Sequence, residues 1–184
     1  MTQALFASWA EVEEKRVPGR YELLRGRVVR SPVLGYPDTW VAQRLARLIG
    51  NFVTGRRLGE SFDGRARYEL PSGDTVSPDY SYVSQLRYRS APRPAPGKGM
   101  SMVPELVVEI LSVESAGRDR GEKKDIYEQN GVQELWLIHP HAREMTVHHL
   151  SGKTYDPGLR LRESQSYSSH LLQDLEFTVG FLLP

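Results

Sequence analysis

The spacing of apolar residues in the first third of the chain predicts two helices separated by a β-hairpin. Apolar residues recur at helical spacing over 4–14, before a Pro-Gly break. The next segment, YELLRGRVVRS, predicts two short strands around an Arg-Gly turn, because its β-branched residues favour the extended backbone. A second helix is predicted over 40–54, with Asp38 or Thr39 as its N-cap. The first helix is interpreted as an N-terminal packing element, and the second is expected to lie on a sheet.

The middle of the chain predicts further strands and a long surface loop. ARYEL and VSPDYSYV indicate two antiparallel strands joined by a tight reversal at Ser72-Gly73, which places Asp79 on a strand. Residues 87–104 are rich in proline and glycine, so we predict an irregular surface loop there. Loops of this kind often border active sites.

The second half of the chain has the pattern of a βαβ unit. LVVEILS is a nearly continuous apolar run, typical of a central strand covered on both faces, and Glu109 lies in its middle. A helix over about 118–130 and a buried strand, ELWLIHP, follow, and such units usually pair their strands in parallel. Short strand-like pieces over 144–181 complete the chain. We therefore predict an α/β, or mixed α+β, fold as a single domain over 1–184.

Composition excludes several classes of protein and leaves the partner open. The 24 lysine and arginine residues are offset by 23 aspartate and glutamate residues, so any basic surface for nucleic acid must be local. There is no cysteine, which excludes disulfides, thiolate nucleophiles and cysteine-type zinc sites. No export signal is visible, and no apolar run approaches the roughly 20 residues that span a bilayer. We expect a cytoplasmic protein without a membrane segment.

Two acids at strand positions are the first candidates for chemistry. A carboxylate at Glu109, inside an apolar strand, costs several kcal/mol unless it is protonated, paired or bound to a metal. Asp79 is also unusual, because strands disfavour aspartate. Two such acids can hold one hard cation such as Mg²⁺, which prefers oxygen ligands. The alternative is structural: Glu109 pairs with a buried arginine, and Asp79 merely ends a strand after Pro78.

A lysine on the predicted crossover helix supports the first interpretation. At about 100° per residue, Lys123 lies on the same side as Ile126 and Tyr127, whereas Lys124 lies nearly opposite Ile126. Lys123 is therefore expected to face the strand that carries Glu109. It could orient an attacking water or stabilise negative charge on a phosphate, or it could serve only as the salt-bridge partner of Glu109.

Four sequence blocks together resemble the Uma-type restriction endonuclease family, a branch of the PD-(D/E)XK nuclease superfamily. The blocks are YELLRGRVVRSP, SPDYSYV, PELVVEILSVES and DRGEKKDIYEQNGVQELWLIHP, and they occur in the family's order. The resemblance implies a restriction-endonuclease-like core with a mixed central sheet flanked by helices. It also implies a metal-dependent endonuclease with Mg²⁺ or Mn²⁺ as cofactor, nucleic acid, chiefly DNA, as substrate, and a homodimeric assembly.

The resemblance assigns roles to four residues. Asp79 and Glu109 are implied to bind the metal, Glu22 to complete the acidic cluster, and Lys123 to be the catalytic lysine. In the parent superfamily that lysine stands two residues after the second acid, where this chain has Leu111. Two further departures are an aspartate near the start of the early helix, where the family has histidine, and His-Pro in place of Asp-Pro after the tryptophan strand.

The displaced lysine leaves a second function open, namely a catalytically inactive nuclease-fold module that binds nucleic acid or a protein partner. Such a module would tolerate Lys123→Ala, whereas an enzyme would lose rate with little change in DNA affinity. The histidines are interpreted as surface or loop residues rather than zinc ligands. Arginines of the early helix, the next strand and the proline-rich loop are candidates for phosphate contacts or for a solvated surface. A purely structural subunit would bind no metal.

Overall fold

The chain was examined as a computed structural model that describes residues 1–31, 35–95, 97–112, 117 and 119–184. Helix α1 (Gln3–Arg16) precedes a hairpin formed by β1 (Arg20–Leu24) and β2 (Arg27–Ser31). Arg25 and Gly26 both have positive φ, as a tight two-residue hairpin turn requires. Phe6 of α1 packs on Tyr21 and Leu23 of β1. The predicted hairpin is therefore confirmed.

The early helix is longer than the apolar spacing predicts and contains a π-helical turn. Helix α2 (Asp38–Leu45) continues through that turn (Ala46–Gly50) into α3 (Asn51–Arg56). The predicted cap is wrong, because Pro37 occupies the N-cap position without a side-chain hydrogen bond and Asp38 is already helical. Val41, Leu45, Ile49 and Val53 of this helix are fully buried against the larger sheet.

Most of the remaining strands form one mixed sheet with a smaller sheet beside it. All the described strands that follow the hairpin are β3 (Gly59–Asp63), β4 (Tyr68–Glu69), β5 (Thr75–Val76), β6 (Tyr80–Ser84), β7 (Leu106–Ile110), β8 (Glu134–His139), β9 (Glu144–Ser151), β10 (Thr154–Tyr155), β11 (Leu159–Arg162), β12 (Ser166–Ser168) and β13 (Glu176–Thr178).

The larger sheet has the order β10-β9-β8-β7-β6-β3, with β11 also paired to β9. Its β7–β8 pair is parallel, as the βαβ pattern predicts, and its other pairs are antiparallel. The smaller sheet has the order β2-β1-β5-β4, so the hairpin that carries Glu22 lies in a different sheet from Glu109. The fold is the predicted mixed α/β arrangement.

The segment VSPDYSYV departs from its predicted role as one strand. Its first part belongs to β5 in the smaller sheet, and its second part forms β6 in the larger sheet. Asp79 therefore lies immediately before a strand rather than within one. The physical reason is local: Pro78 has no N–H for a continuous ladder, and the Asp79 side chain accepts a hydrogen bond that a neighbouring strand would otherwise use.

Helices cover both faces of the larger sheet. The α2–α3 side holds Val108 and Trp136, while the opposite side holds Val107 and Leu135. On this opposite side, a π-helical turn (Asp119–Lys123) leads into α5 (Lys124–Asn130), which ends at Gly131 with positive φ. The predicted start of this helix, at 118, lies outside the described residues.

Two short elements complete the picture. Helix α4 (Gln85–Ser90) begins the region predicted to be an irregular loop, so that prediction is wrong at its N-terminal end. The Ser84 hydroxyl accepts a hydrogen bond from the Arg87 backbone N–H at 3.4 Å and so supplies the N-cap that makes the turn helical. None of the described helices is long and apolar enough to cross a membrane.

Candidate active site

Glu109 projects from the central strand β7 towards the helix of the βαβ unit. Alternate residues of a strand face opposite sides, so Glu109 shares the side of Val107 and Leu111. Its side chain is almost completely buried. A carboxylate in this position requires a compensating partner, and the structure provides one from the helix side.

Lys123 is that partner and it joins two of the predicted acids. Its Nζ lies 2.6 Å from Glu109 Oε1 and 3.0 Å from Glu22 Oε1, and its side chain is only 3% exposed. Lys124, in contrast, is half-buried, and its ammonium lies near the Tyr155 ring. The structure thus brings Glu22, Glu109 and Lys123 together, from the small sheet, the large sheet and the π-helical turn.

Asp79 lies beside this group at the start of β6. Its Oδ2 accepts a hydrogen bond of 2.7 Å from the backbone N–H of Ile110, the residue that follows Glu109. Its Oδ1 lies 2.6 Å from Arg20 Nη1. That contact lacks hydrogen-bond geometry, so within the described residues the buried Oδ1 accepts no hydrogen bond. The two groups nevertheless form an ion pair, because ionic attraction needs no exact alignment.

Three residues of the site were not among the sequence-predicted candidates. Arg20 contacts Asp79, Asp119 Oδ1 lies 3.9 Å from Lys123 Nζ, and the Tyr127 hydroxyl donates a short hydrogen bond to Glu109 Oε1. Periodicity contains a signal for each of them. Arg20 precedes Glu22 by two residues on one strand, and Asp119 and Tyr127 lie four residues either side of Lys123 on one helical face.

We call this group the acid cluster. Its members are Arg20, Glu22, Asp79, Glu109, Asp119 and Lys123. Even without Asp119, three carboxylates and two cations leave a surplus of one negative charge when every member is ionised. Burial places this charge in a region of low dielectric, where it is far more costly than at the surface.

The charge excess changes the proton affinities of the cluster. Burial, opposed by Lys123 and reinforced by the other acids, raises the pKa of Glu109 to about 8. The pKa of Lys123 is also raised, since the attraction of Glu109, Glu22 and Asp119 outweighs the effect of its own burial. The two directions differ in origin: burial chiefly raises the pKa of Glu109, whereas the neighbouring acids raise that of Lys123.

Asp79 connects the acid cluster to solvent. It lines a cavity of about 490 Å³ together with Arg20, Thr39, Asp63 and Arg65. The pKa of nearby Asp38 is raised by its burial and by the Asp79 charge. A ligand that enters this cavity therefore meets Asp79 and Arg20 before Glu109.

The residues of the acid cluster fit a hard divalent cation in chemistry. Asp79 and Glu109 offer carboxylate oxygens, and Asp79 Oδ1 is buried with no hydrogen bond among the described residues. Arg20 and Lys123 hold these oxygens in the structure. With Arg20 and Lys123 in these positions, no group of three or more His, Cys, Asp or Glu side chains in the described part of the chain is arranged to hold a metal ion. A cation would have to displace Arg20 from Asp79 and a proton from Glu109.

Comparison with known proteins identifies the family to which this chain belongs. The model of a family described as "Uma2: Putative restriction endonuclease" matches residues 7–180. The chain belongs to the Uma2 family. That match spans every element that contributes to the acid cluster, and the name of the Uma2 family supports a nuclease function.

A solved structure agrees with the Uma2 assignment at the level of the fold. The chain is similar to a crystal structure from Anabaena variabilis, described as a "putative nuclease belonging to DUF820". The TM-score is 0.77 with 16% identity, and the alignment covers 99% of this chain and 97% of the other. At this identity the likeness shows the restriction-endonuclease-like fold. No curated protein matches the chain in sequence.

Proposed function

We propose that this Uma2 protein is a metal-dependent endonuclease that hydrolyses phosphodiester bonds of DNA. The observation that carries the proposal is the excess of buried carboxyl groups over cations among the described residues of the acid cluster, which faces a solvent-connected cavity through Asp79. A structural ion-pair network needs no such surplus, since a buried charge that lacks a partner is strongly destabilising. A site that binds a divalent cation and a phosphate does need it.

Asp79 and Glu109 would hold the cation, Mg²⁺ or Mn²⁺. When bound there, it would lower the pKa of a coordinated water and neutralise charge on the scissile phosphate. Glu22 has a different role, because its Oε1 also accepts a 2.8 Å hydrogen bond from the Ser77 backbone N–H. Glu22 therefore positions Lys123 and is itself fixed by the loop that leads to Asp79.

Lys123 acts as a cation in this proposal. The raised pKa keeps its ammonium protonated at neutral pH, so it donates hydrogen bonds and does not accept a proton as a general base. With its Nζ fixed between Glu22 and Glu109, it orients a water molecule or stabilises negative charge on a phosphate oxygen. Leu111 occupies the position where the parent superfamily has this lysine, so the helix supplies the ammonium instead.

The experiment is cleavage of supercoiled plasmid and of single-stranded DNA with Mg²⁺ or Mn²⁺. Wild type is compared with Asp79→Ala and with Asp174→Ala, which removes an exposed carboxylate paired with Arg56 at the surface. We expect metal-dependent nicking that Asp79→Ala loses and Asp174→Ala retains. Equal cleavage by wild type and Asp79→Ala would contradict the assignment. Absence of cleavage by wild type on both substrates would favour a binding module without turnover.

We also propose that the protein acts as a homodimer, since two copies of one active site are needed to cut both strands of a duplex. Light scattering combined with size-exclusion chromatography measures the mass of the particle. A mass near twice 20.9 kDa supports the proposal, and a mass of one chain at concentrations that give double-strand breaks contradicts it.

A further inference from the structure

A second cavity lies along the same face of the larger sheet as the acid cluster. It has a volume of about 660 Å³, within the range typical of small-molecule sites. Phe62, Tyr88, Met100 and Met102 give it an apolar lining, to which Arg89 and Arg93 add positive charge. No acidic side chain is among the described residues that line it. We call it the aromatic pocket.

The aromatic pocket is connected to the active-site cavity through a third cavity. Asp63 and Arg65 line both the active-site cavity and this third one, and Phe62 and Met100 line both the third cavity and the aromatic pocket. The three cavities therefore adjoin one another along this face.

Strand register shows that the two ends of this series of cavities are close. Phe62 of β3 pairs with Ser81 of β6, and Asp79 lies just before β6. A DNA strand bound at Asp79 can therefore continue towards the aromatic pocket.

Two aromatic side chains line the pocket without stacking on each other. The Phe62 and Tyr88 ring centroids are 5.9 Å apart with planes tilted by 42°, so the two rings do not stack face to face. Tyr88 remains 39% exposed. An exposed aromatic face beside an apolar cavity is the usual platform on which a nucleobase stacks.

The arginines of this region fall into two groups. Arg87 is structural: its Nε lies 3.1 Å from the buried Glu105 carboxylate, and it donates to the Val103 carbonyl. Arg89 and Arg93 are exposed and make no ion pair with another described residue. Two cations without acidic partners beside an apolar pocket favour a ligand that has both an aromatic ring and negative charge.

The walls of the pocket are fixed to the sheet. The Met100 N–H donates to the Arg67 carbonyl at 2.7 Å, and the Glu69 N–H donates to the Met100 carbonyl at 3.0 Å. Helix α4, which carries Tyr88, is attached through Ser84, whose hydroxyl donates to Glu105 at 2.6 Å. A preformed pocket binds a ligand without first ordering its own loop.

We infer that the aromatic pocket binds an unpaired base of single-stranded DNA, stacked on Tyr88, while Arg89 and Arg93 contact the flanking phosphates. This inference rests on the proposed endonuclease function, since it makes the strand in the pocket a continuation of the strand at Asp79. It assigns the enzyme a preference for DNA with single-stranded or frayed segments, because a paired base cannot leave its stack without an energetic cost.

The test is binding of a short fluorescent single-stranded DNA in EDTA, followed by anisotropy, so that no cleavage is required. Tyr88→Ala should weaken binding at least about tenfold, equal to about 1.4 kcal/mol. Tyr88→Phe retains the ring and should bind within about twofold of wild type. Unchanged affinity in Tyr88→Ala, or an equal loss in Tyr88→Phe, would overturn the stacking role.

The arginines are tested by the salt dependence of the same binding. Arg89→Ala combined with Arg93→Ala should lower the slope of log affinity against log salt by about 1.4, at about 0.7 for each phosphate that is no longer neutralised. The matched control is Arg47→Ala combined with Arg162→Ala, which removes two exposed arginines that line none of the three cavities. An equal change of slope in the control would overturn the assignment of these two residues.

Two competitor ligands complete the design. Blunt duplex DNA that binds as tightly as the single strand would overturn the preference for unpaired bases. RNA of the same sequence that binds more tightly through Tyr88 would overturn the assignment to DNA. Because binding is measured without metal, intact Tyr88-dependent binding with no cleavage in Mg²⁺ or Mn²⁺ would refute the endonuclease proposal alone.

Discussion

Two carboxylates, Glu109 and Glu134, are buried in neighbouring parallel strands of the same sheet and differ in everything that surrounds them. Glu109 lies on β7 and Glu134 at the start of β8, and each is 2% exposed or less. Both stand in apolar runs of the sequence. By burial and by strand position alone, the two would receive the same interpretation.

Glu134 is surrounded by neutral donors. Its Oε1 accepts hydrogen bonds from the Trp136 indole N–H and the Tyr167 hydroxyl, each at 2.6 Å. Its Oε2 accepts from the Ser169 hydroxyl at 3.2 Å and from the Leu171 backbone N–H at 3.1 Å. These donors satisfy the carboxylate of Glu134 without an ion pair to another described residue. Glu134 therefore joins the C-terminal segment to the sheet and has a structural role.

Glu109 is surrounded by other ionisable groups instead. Its neighbours are Lys123 and Tyr127 together with further acids, and its pKa is raised chiefly by burial and further by those acids. The difference teaches that burial of an acid does not mark a functional site. What marks it is a set of neighbours that leaves charge uncompensated beside a cavity.

The largest effect expected from this difference is on cleavage by Glu109→Gln. The amide keeps the shape and can still accept from Tyr127, but it removes the charge that a metal requires. We expect cleavage to fall at least about 1,000-fold, equal to about 4 kcal/mol. Plasmid nicking in Mn²⁺ measures it. A nicking rate within about tenfold of the wild-type rate would show that Glu109, like Glu134, has only a structural role.

Glu134→Ala should lower the stability of the protein rather than its cleavage rate. Removal of the carboxylate leaves four donors without their acceptor, at about 1–3 kcal/mol for each, so we expect at least about 4 kcal/mol of destabilisation in total. Cleavage per folded molecule should be unchanged. Urea unfolding measures the first quantity and nicking, corrected for the folded fraction, the second. Glu134→Gln, which keeps an acceptor, is the milder variant if the alanine protein does not fold.

Lys123→Ala should lower the cleavage rate about 100-fold, equal to about 2.7 kcal/mol, with little change in DNA affinity or metal affinity. The neighbouring Lys124→Ala is the matched control, because Lys124 is half-buried and its ammonium lies near the Tyr155 ring rather than at the cluster. Single-turnover rates and anisotropy of a bound oligonucleotide separate the two quantities. A Lys123→Ala protein that cuts at the wild-type rate would show that Lys123 is only an ion-pair partner.

The smallest expected effect is on the pH dependence of the melting temperature, Tm, measured in EDTA. The pKa of folded Glu109 is raised to about 8, so its contribution is fully present below its unfolded pKa and is lost as pH rises through about 8. Glu109→Gln does not titrate there. Between about pH 5 and pH 9, the Tm of Glu109→Gln should therefore rise by several degrees relative to the Tm of wild type. A constant Tm difference across this range would contradict the raised pKa.

The parts of the fold that follow from local pattern were predictable. Apolar spacing indicated the first hairpin, the βαβ unit and the inward side of the helix that carries Lys123. The strand β3 was missed, because GESFD is short and largely polar and is strand only by pairing with β6. The split of the Asp79 segment between two sheets was also missed, since it depends on a contact with Ile110 far along the chain.

The candidate site was predictable only in part for the same reason. Glu109 was visible because it interrupts an apolar strand, and Lys123 was visible because it lies on the apolar side of a predicted helix. Asp79 was paired with Glu109 because strands disfavour aspartate, whereas grouping Glu22 with them required the family resemblance, since Glu22 comes from a different sheet. Glu134, in contrast, gave no sign in the sequence of the donors that satisfy it, most of which come from residues 167–171.

The central claim is that the acid cluster, unlike the Glu134 site, binds a divalent cation. The most direct test is Mn²⁺ titration followed by electron paramagnetic resonance, with wild type, Glu109→Gln and Glu134→Gln at equal folded concentrations and without DNA. We predict stoichiometric Mn²⁺ binding by wild type and Glu134→Gln, and loss of that binding in Glu109→Gln. Equal Mn²⁺ binding by Glu109→Gln and wild type would contradict the claim.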